Sequence, residues 1–366
     1  MDSLSQIALG ASLALAFAPP DQRRRALLYG AALGTLPDLD AVVPLGGPVE
    51  DFVFHRSASH SLILLAIAAP LLWRLALRFD RALRSDPGRW LVIFAGVLLT
   101  HPLLDWFTIY GTQLFWPLDR TPYGLGSMFI IDPLYTLPLL IGIGVALATR
   151  VPTRVQAAAR GGLALSCAYL ALSAGLQAWV LARATEGLRT AGLSDARVLA
   201  LPTPFNLALW RVLSREPDGY RVGYVSLLDA EPPSNWRHYP SLDSAEAALA
   251  GHLPSQRLRA FSHGWHSLRD CGGRLVFADL RMGVEPAFVF QFALAESDGA
   301  GGWRPIPAER VAGDVAAGAG PVFDWMGRRI QGEARSLSES PADFRPASCT
   351  PQSDVDGAQP VRRYSR

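Results

Sequence analysis

Before about residue 182 the chain runs through six long apolar stretches, 4–18, 26–45, 60–77, 90–107, 130–149 and 161–182. Most approach the roughly 20 residues that span a bilayer as a helix. This spacing predicts a helical membrane domain over 1–182. The composition agrees, since half of the 366 residues are apolar and mean hydropathy is positive. In the first stretch, Ala16, Phe17 and Ala18 form a small-x-small pattern like that of a cleaved leader. Its start, however, carries Asp2 and no basic residue, whereas a signal peptide needs a positive n-region. The stretch is therefore expected to stay as a helix.

All the basic residues are arginine, and the formal charge is only +2. That balance gives no case for nucleic-acid binding. The arginines are nevertheless uneven. Arg23, Arg24 and Arg25 follow the first stretch; Arg74, Arg78, Arg81, Arg84 and Arg89 surround the break between the third and fourth; Arg150, Arg154 and Arg160 fall between the fifth and sixth. Cytoplasmic loops are enriched in positive charge, so six spans would place these three connections inside and everything after 182 outside. Trp106, Tyr110, Trp116 and Tyr123 are spaced as an interfacial aromatic belt would be. The cysteines, Cys167, Cys271 and Cys349, include no CxxC pair and exclude a disulfide scaffold or a cysteine zinc knuckle.

Polar residues intrude near the stretch ends. "LPDLD" carries Asp38 and Asp40, "HRSASHS" carries His55, Arg56 and His60, "THPLLDWFT" carries His101 and Asp105, and "FIIDP" carries Asp132. Under the arginine-derived topology all of them lie toward the exported face. His101 and Asp105, four apart, project from one side of a continuous helix, although Pro102 favours a kink or a fresh helix start at His101. His55 and His60, five apart, do not share a helical face. His55 is expected to end a loop, with Ser57 or Ser59 capping the following helix and His60 in its first turn.

Each residue has an ordinary reading beside the functional one. "PDLD" alone is a common turn and cap, and a single histidine at a span end is usually an interfacial residue with a satisfied hydrogen bond. Ionisable groups at membrane depth are costly, however, and are functional candidates by default. All three histidines of the membrane half fall in two motifs, and imidazoles with carboxylates are a donor set for zinc, manganese or iron. Asp132 fits a site residue or a helix cap equally. Arg56 fits a phosphate or carboxylate clamp, or a counter-ion for Glu50 and Asp51.

The series "MDSLSQIALGASL", "GTLPDLD", "HRSASHSL", "HPLLDWFTIYGTQLFWP" and "FIIDPLYTLPLL" closely resembles the YdjM-like family, predicted membrane-bound metal-dependent hydrolases of bacterial inner membranes. The resemblance covers roughly residues 1–150. It implies a divalent metal site with Asp38, Asp40, His55, His60, His101 and Asp105 as ligands. Family members often carry a threonine-histidine pair near the N-terminus where this chain has Ser5 and Gln6. The "HR..SHS" and "HPLLD" motifs are also loosely similar to zinc phospholipase C and P1-type nucleases, a pointer toward phosphoester substrates.

The second half predicts a small α+β extramembrane domain over 183–334 and a disordered tail over 335–366, rich in Ser, Pro, Asp and Gly. "FNLALWRVLSREPDGYRVGYVSLLD" reads as a hairpin around a Pro-Asp-Gly turn. "SAEAALAGHL" and "SQRLRAFSHGWHSL" read as helices, and "GRLVFADLRMG" with "AFVFQFALAE" as strands. His263 and His266 are three apart on the second helix, with Asp270 the one carboxylate at helical spacing, and a half-buried helix face accounts for them better than a metal.

Together these observations predict a mainly α, polytopic protein of the bacterial inner membrane, with the C-terminal domain on the exported side. The expected activity is hydrolysis by a metal-activated water, the metal most often zinc, with manganese or iron as alternatives. Asp38 or Asp40 would complete the coordination or act as general base. Arg56 would hold an anionic head group. The partners are membrane lipids and a lipid or lipid-linked phosphoester, with no nucleic acid. A non-catalytic protein with a structural metal and a transporter are the rivals. A transporter would spread its charges along the bilayer depth, whereas these gather at one level.

Overall fold

A computed structural model describes residues 1–149, 151–193, 197–285, 287–311 and 319–333. The described residues divide into two compact units: those within 1–44, 54–183 and 200–211 form the first, and those within 45–53, 184–199 and 212–333 form the second.

Helices α1 (Ser3–Phe17), α2 (Arg23–Thr35), α3 (Pro48–Phe54), α4 (Leu62–Phe79), α5 (Pro87–Trp106), α6 (Pro133–Ala148) and α7 (Pro152–Thr190) follow in order. By length and composition α4, α5 and α7 can cross a membrane, while α1 and α6 are apolar but shorter. The second apolar stretch does not make a full span. α2 stops at Thr35, and Leu36–Val42 continue as a 3-10 helix. Pro37 opens that tighter segment, where its missing N–H is tolerated.

Close backbone approach holds α1 against α2. A Cβ at Gly10 would lie 2.3 Å from the Gly30 carbonyl oxygen, and one at Gly34 would lie 2.6 Å from that of Gln6. Small residues permit such approach where lipid, as apolar as leucine, supplies no hydrophobic drive between helices. α6 and α7 meet the same way, with a Cβ at Gly162 falling 2.6 Å from the Pro138 carbonyl oxygen. Trp90, Ile93, Phe94, Val97 and Leu98 of α5 fill the space between with almost no exposure.

The arginine-bearing connections gather at one end of this unit. Gln22 donates to Ser85 Oγ at 2.8 Å and accepts from Trp90 Nε1 at 3.0 Å. Arg25 pairs with Asp80 at 2.8 Å. Arg23 donates to the Thr149 carbonyl at 2.6 Å, and Arg160 to that of Ala16 at 3.2 Å.

The second unit carries most of the strands. β1 (Arg197–Pro202), β2 (Leu209–Glu216), β3 (Gly219–Ser226) and β4 (Arg237–Pro240) form one sheet in sequence order. α8 (Leu253–Phe261) precedes β5 (His266–Asp270), β6 (Arg274–Asp279), β7 (Gly283–Val284), β8 (Ala287–Phe288), β9 (Gln291–Ser297) and β10 (Trp303–Val311). The second sheet runs β10-β9-β6-β5, and β7 pairs β8 alone. α9 (Ala319–Ile330) closes the described chain. The expected hairpin is β2 and β3 around Pro217-Asp218. Leu213, Tyr220, Trp265, Phe277 and Phe292 are among the buried side chains.

Two helix expectations need correction. Residues 243–249 form only a 3-10 helix. α8 ends at Phe261, because His263 (φ 52°) and Gly264 (φ 76°) take left-handed backbone that a helix cannot continue. His266 therefore lies in β5, where it bonds Glu246 at 2.9 Å, and shares no helical face with His263. The tail from 335 lies outside the described residues.

Candidate metal centre

At the end of the helical unit opposite the arginines, four side chains from three segments converge. The 3-10 segment after α2 brings Asp38, the 3-10 turn Ala58–His60 before α4 brings His60, and α5 brings His101 and Asp105. α5 continues through Pro102 instead of breaking there, so His101 and Asp105 keep their four-residue relation and face the same point. His60 stands before α4 rather than in its first turn. The cap is Ser61, whose Oγ accepts from the Leu64 amide at 3.3 Å. Ser59 is engaged elsewhere, donating to Asp40 Oδ2 at 2.5 Å.

His60 Nε2 lies 3.2 Å from His101 Nε2, 3.3 Å from Asp38 Oδ1 and 3.2 Å from Asp105 Oδ2. His101 Nε2 lies 3.4 Å from Asp38 Oδ1 and 3.6 Å from Asp105 Oδ2. His60, His101 and Asp105 are essentially inaccessible, and Asp38 is partly so. Zinc–nitrogen and zinc–oxygen bonds of about 2.0–2.2 Å in tetrahedral geometry separate the donors by about 3.3–3.6 Å. The observed separations match that spacing.

The surroundings aim these donors inward. His101 Nδ1 bonds the Gly34 carbonyl oxygen at 2.8 Å, so it carries the proton and leaves the Nε2 lone pair toward the cluster. Gly34 stands on α2 between α1, whose Gln6 carbonyl a Cβ there would meet, and α5, which carries His101. His60 Nδ1 bonds Ser59 Oγ at 2.9 Å, and Ser59 hands on to Asp40. Asp105 Oδ1 is satisfied by the Met1 amino group, by Gln6 Nε2 at 3.2 Å and by Arg56 Nη1 at 3.4 Å. That leaves Asp105 Oδ2, the oxygen that faces both imidazoles, buried without a hydrogen-bond partner, while Asp38 faces them through Oδ1. Buried carboxylate oxygens left so are costly. A cation among them and the facing imidazole nitrogens would satisfy the set, so these residues fit a divalent metal.

Asp40 and His55 stand beside the four rather than among them. Their Oδ1 and Nδ1 atoms are 3.0 Å apart without the alignment of a hydrogen bond. Asp40 Oδ2 also accepts from the Arg56 amide at 3.0 Å. Arg56 itself is buried at 3 % exposure, with a left-handed backbone at φ 62°, and its guanidinium lies over Tyr110 at 5.1 Å. It faces Asp105 and Thr108 rather than Glu50, which pairs with Arg257, or Asp51, which accepts from the Leu45 amide at 2.6 Å. Tyr110 is thus a buried wall of this site, not part of an interfacial belt. Asp132 is a cap: its Oδ1 accepts from the Leu134 amide at 3.0 Å, and its Oδ2 from Tyr169 at 2.8 Å.

The family model described as YdjM inner membrane protein matches residues 1–184. The chain belongs to that family. The match ends within α7, before the first strand. No curated protein and no solved structure matches the chain. Membership makes this an inner membrane protein, and the matched residues include all four of the cluster.

Sequence reasoning did not find the Gly34 carbonyl, Ser59, Thr108 or the Met1 amino group as parts of the site. None carries a metal-ligand signature, since each acts on a ligand rather than as one. Gln6 stood out only as a departure from the family pattern. It lies 1 % exposed against Asp105 and His101, its Oε1 without a partner.

Proposed function

We propose that the protein is a multi-pass membrane hydrolase that depends on a divalent metal, zinc by its donor set, held by Asp38, His60, His101 and Asp105. The observation that carries this reading is the convergence of two imidazole Nε2 atoms and two carboxylate oxygens at 3.2–3.6 Å. A divalent cation bound there would act as a Lewis acid and bring the pKa of a bound water toward about 7.

The chain's own residues divide the remaining work. Gly34 and Ser59 fix the histidine tautomers. Asp40 holds Ser59 and borders His55, placing a carboxylate–imidazole pair beside the cluster as the general-base candidate. Arg56 offers a buried guanidinium whose Nε has no partner, which suits an anionic ester group. Leu36, Leu39, Val42 and Val43, on the segment that carries Asp38 and Asp40, expose 37–81 % of their surface. In a bilayer such a rim favours a lipid or lipid-linked phosphoester. On the positive-inside rule the arginine-rich end would be cytoplasmic and the metal centre would face the exported side; the residues after 182 are proposed to be exported by the same rule.

A structural metal is the second reading, favoured by the fact that four protein ligands already complete a tetrahedron. Metal analysis of the purified full chain and of His101→Ala, with a phosphodiesterase and phosphomonoesterase panel on both, separates the readings. Hydrolysis needs stoichiometric metal and turnover in the wild type, with both lost in the variant. Bound metal with no turnover on any substrate leaves the staple, and metal retained equally by His101→Ala removes the ligand assignment.

A further inference from the structure

The arginine-rich end of the helical unit carries more cations than its own acids engage. Asp80 is held by Arg25 and Asp86 by Arg89, while Arg74, Arg78 and Arg81 are exposed and bond no acid or carbonyl among the described residues. Arg74 and Arg78 are one turn apart on α4, and Arg81 follows its end.

The same face of α4 is apolar toward the middle of the helix. Ile67, Leu71 and Leu75 recur every four residues and are 57 %, 63 % and 54 % exposed. At 100° per residue these three, with Arg74 and Arg78, occupy one stripe about 100° wide. An apolar track thus leads directly into a cluster of unpaired cations. An acidic peptide or nucleic acid would leave the track uncovered. A zwitterionic lipid would leave the cations without counter-charge.

We propose that this face binds an anionic phospholipid, its acyl chain along Ile67, Leu71 and Leu75 and its phosphate among Arg74, Arg78 and Arg81. The guanidinium fork suits phosphate oxygens, and basic residues next to a membrane helix attract anionic lipid. The inference rests on α4 crossing the bilayer and not on the metal centre.

Native mass spectrometry of the full chain in detergent micelles, doped with phosphatidylglycerol or with phosphatidylcholine of the same acyl chains, tests it. The wild type should retain phosphatidylglycerol selectively. Arg74→Gln, Arg78→Gln and Arg81→Gln combined should lower that retention by roughly fivefold per arginine removed. The matching lysine variant should keep most of it, and Arg304→Gln in the strand-rich unit should change nothing. Glycerol phosphate, which has the anion without the tail, should not displace the lipid. Equal retention of both lipids by the wild type overturns the proposal, as do unchanged retention in the glutamine variant and displacement by glycerol phosphate. If the glutamine variant does not assemble, the wild-type head-group preference decides alone.

Discussion

His60 Nε2 and His101 Nε2 face each other at 3.2 Å in a buried site, while each ring's Nδ1 is hydrogen-bonded outward, to Ser59 Oγ and to the Gly34 carbonyl. Two nitrogen lone pairs directed at one point are repulsive unless a metal cation or a second ring proton lies between them. The bonds at Nδ1 prevent either ring from relieving this by moving its proton. Much of the site's expected chemistry follows from that pair.

Metal affinity should depend on the outer hydrogen bonds as well as on the ligands. Asp40→Asn keeps the size of the side chain but weakens the hold on Ser59, and so on His60. Losing such a partner typically costs 10–100-fold in affinity or activity. Competition with a chelator should show a loss in that range, whereas Asp38→Asn should lose metal more completely. Equal effects would place Asp40 among the ligands.

Occupancy should fall on acidification, because imidazole binds a metal only when neutral and the cation must compete with protons. Metal should therefore be released progressively as the solution is acidified. Metal content after equilibration at a series of pH values measures it. Release independent of pH would argue against imidazole ligation.

The α1–α2 contact should be intolerant of even one carbon. A Cβ at Gly30 would meet the Gly10 carbonyl oxygen at 2.4 Å, and both partners are backbone, so neither can turn aside. Overpacking of this kind typically costs about 1–3 kcal/mol. Gly30→Ala should lower thermal stability and weaken metal binding together, since it also moves Gly34. Gly144→Ala, with open space around the site, serves as the neutral control.

Asp132 should affect stability and not the metal. Replacing a capping carboxylate by alanine costs about 0.5–2 kcal/mol, and Asp132→Ala also leaves Tyr169 without its acceptor. Unfolding should shift accordingly while metal content stays at the wild-type level. A loss of metal would return Asp132 to the site.

In the strand-rich unit, the hydrogen bond from His266 holds the Glu246 carboxyl below its ordinary value, with burial opposing and Arg259 assisting. A carboxyl depressed in the folded state adds stability above its unfolded pKa, near 4.3, and loses it as pH falls through the folded value. Glu246→Gln should therefore be less stable than the wild type at about pH 6 and converge with it toward about pH 3. Thermal unfolding followed by tryptophan fluorescence would show it, and parallel curves would refute the assignment.

Local sequence was enough for features governed by local physics. Apolar length announced helices that can cross a bilayer, and the YdjM model matches residues 1–184. The Pro-Asp-Gly turn between β2 and β3 is a short-range signal too. His101 and Asp105, four apart on one helix, needed only helical geometry to be paired. Tertiary structure alone decided which donors meet. Asp38, His60 and the α5 pair lie far apart along the chain, and no spacing rule relates them. That structure also set Asp40 and His55 beside the cluster, although Asp40 shares a 3-10 segment with Asp38 and His55 directly follows α3, three residues before the turn that brings His60. Where a left-handed turn stopped α8 and sent His266 into a strand, backbone conformation overrode a plausible helical pattern. The Gly34 carbonyl has no side chain to announce it. It joined the site only because the tertiary fold brings α2 within hydrogen-bond reach of His101 on α5.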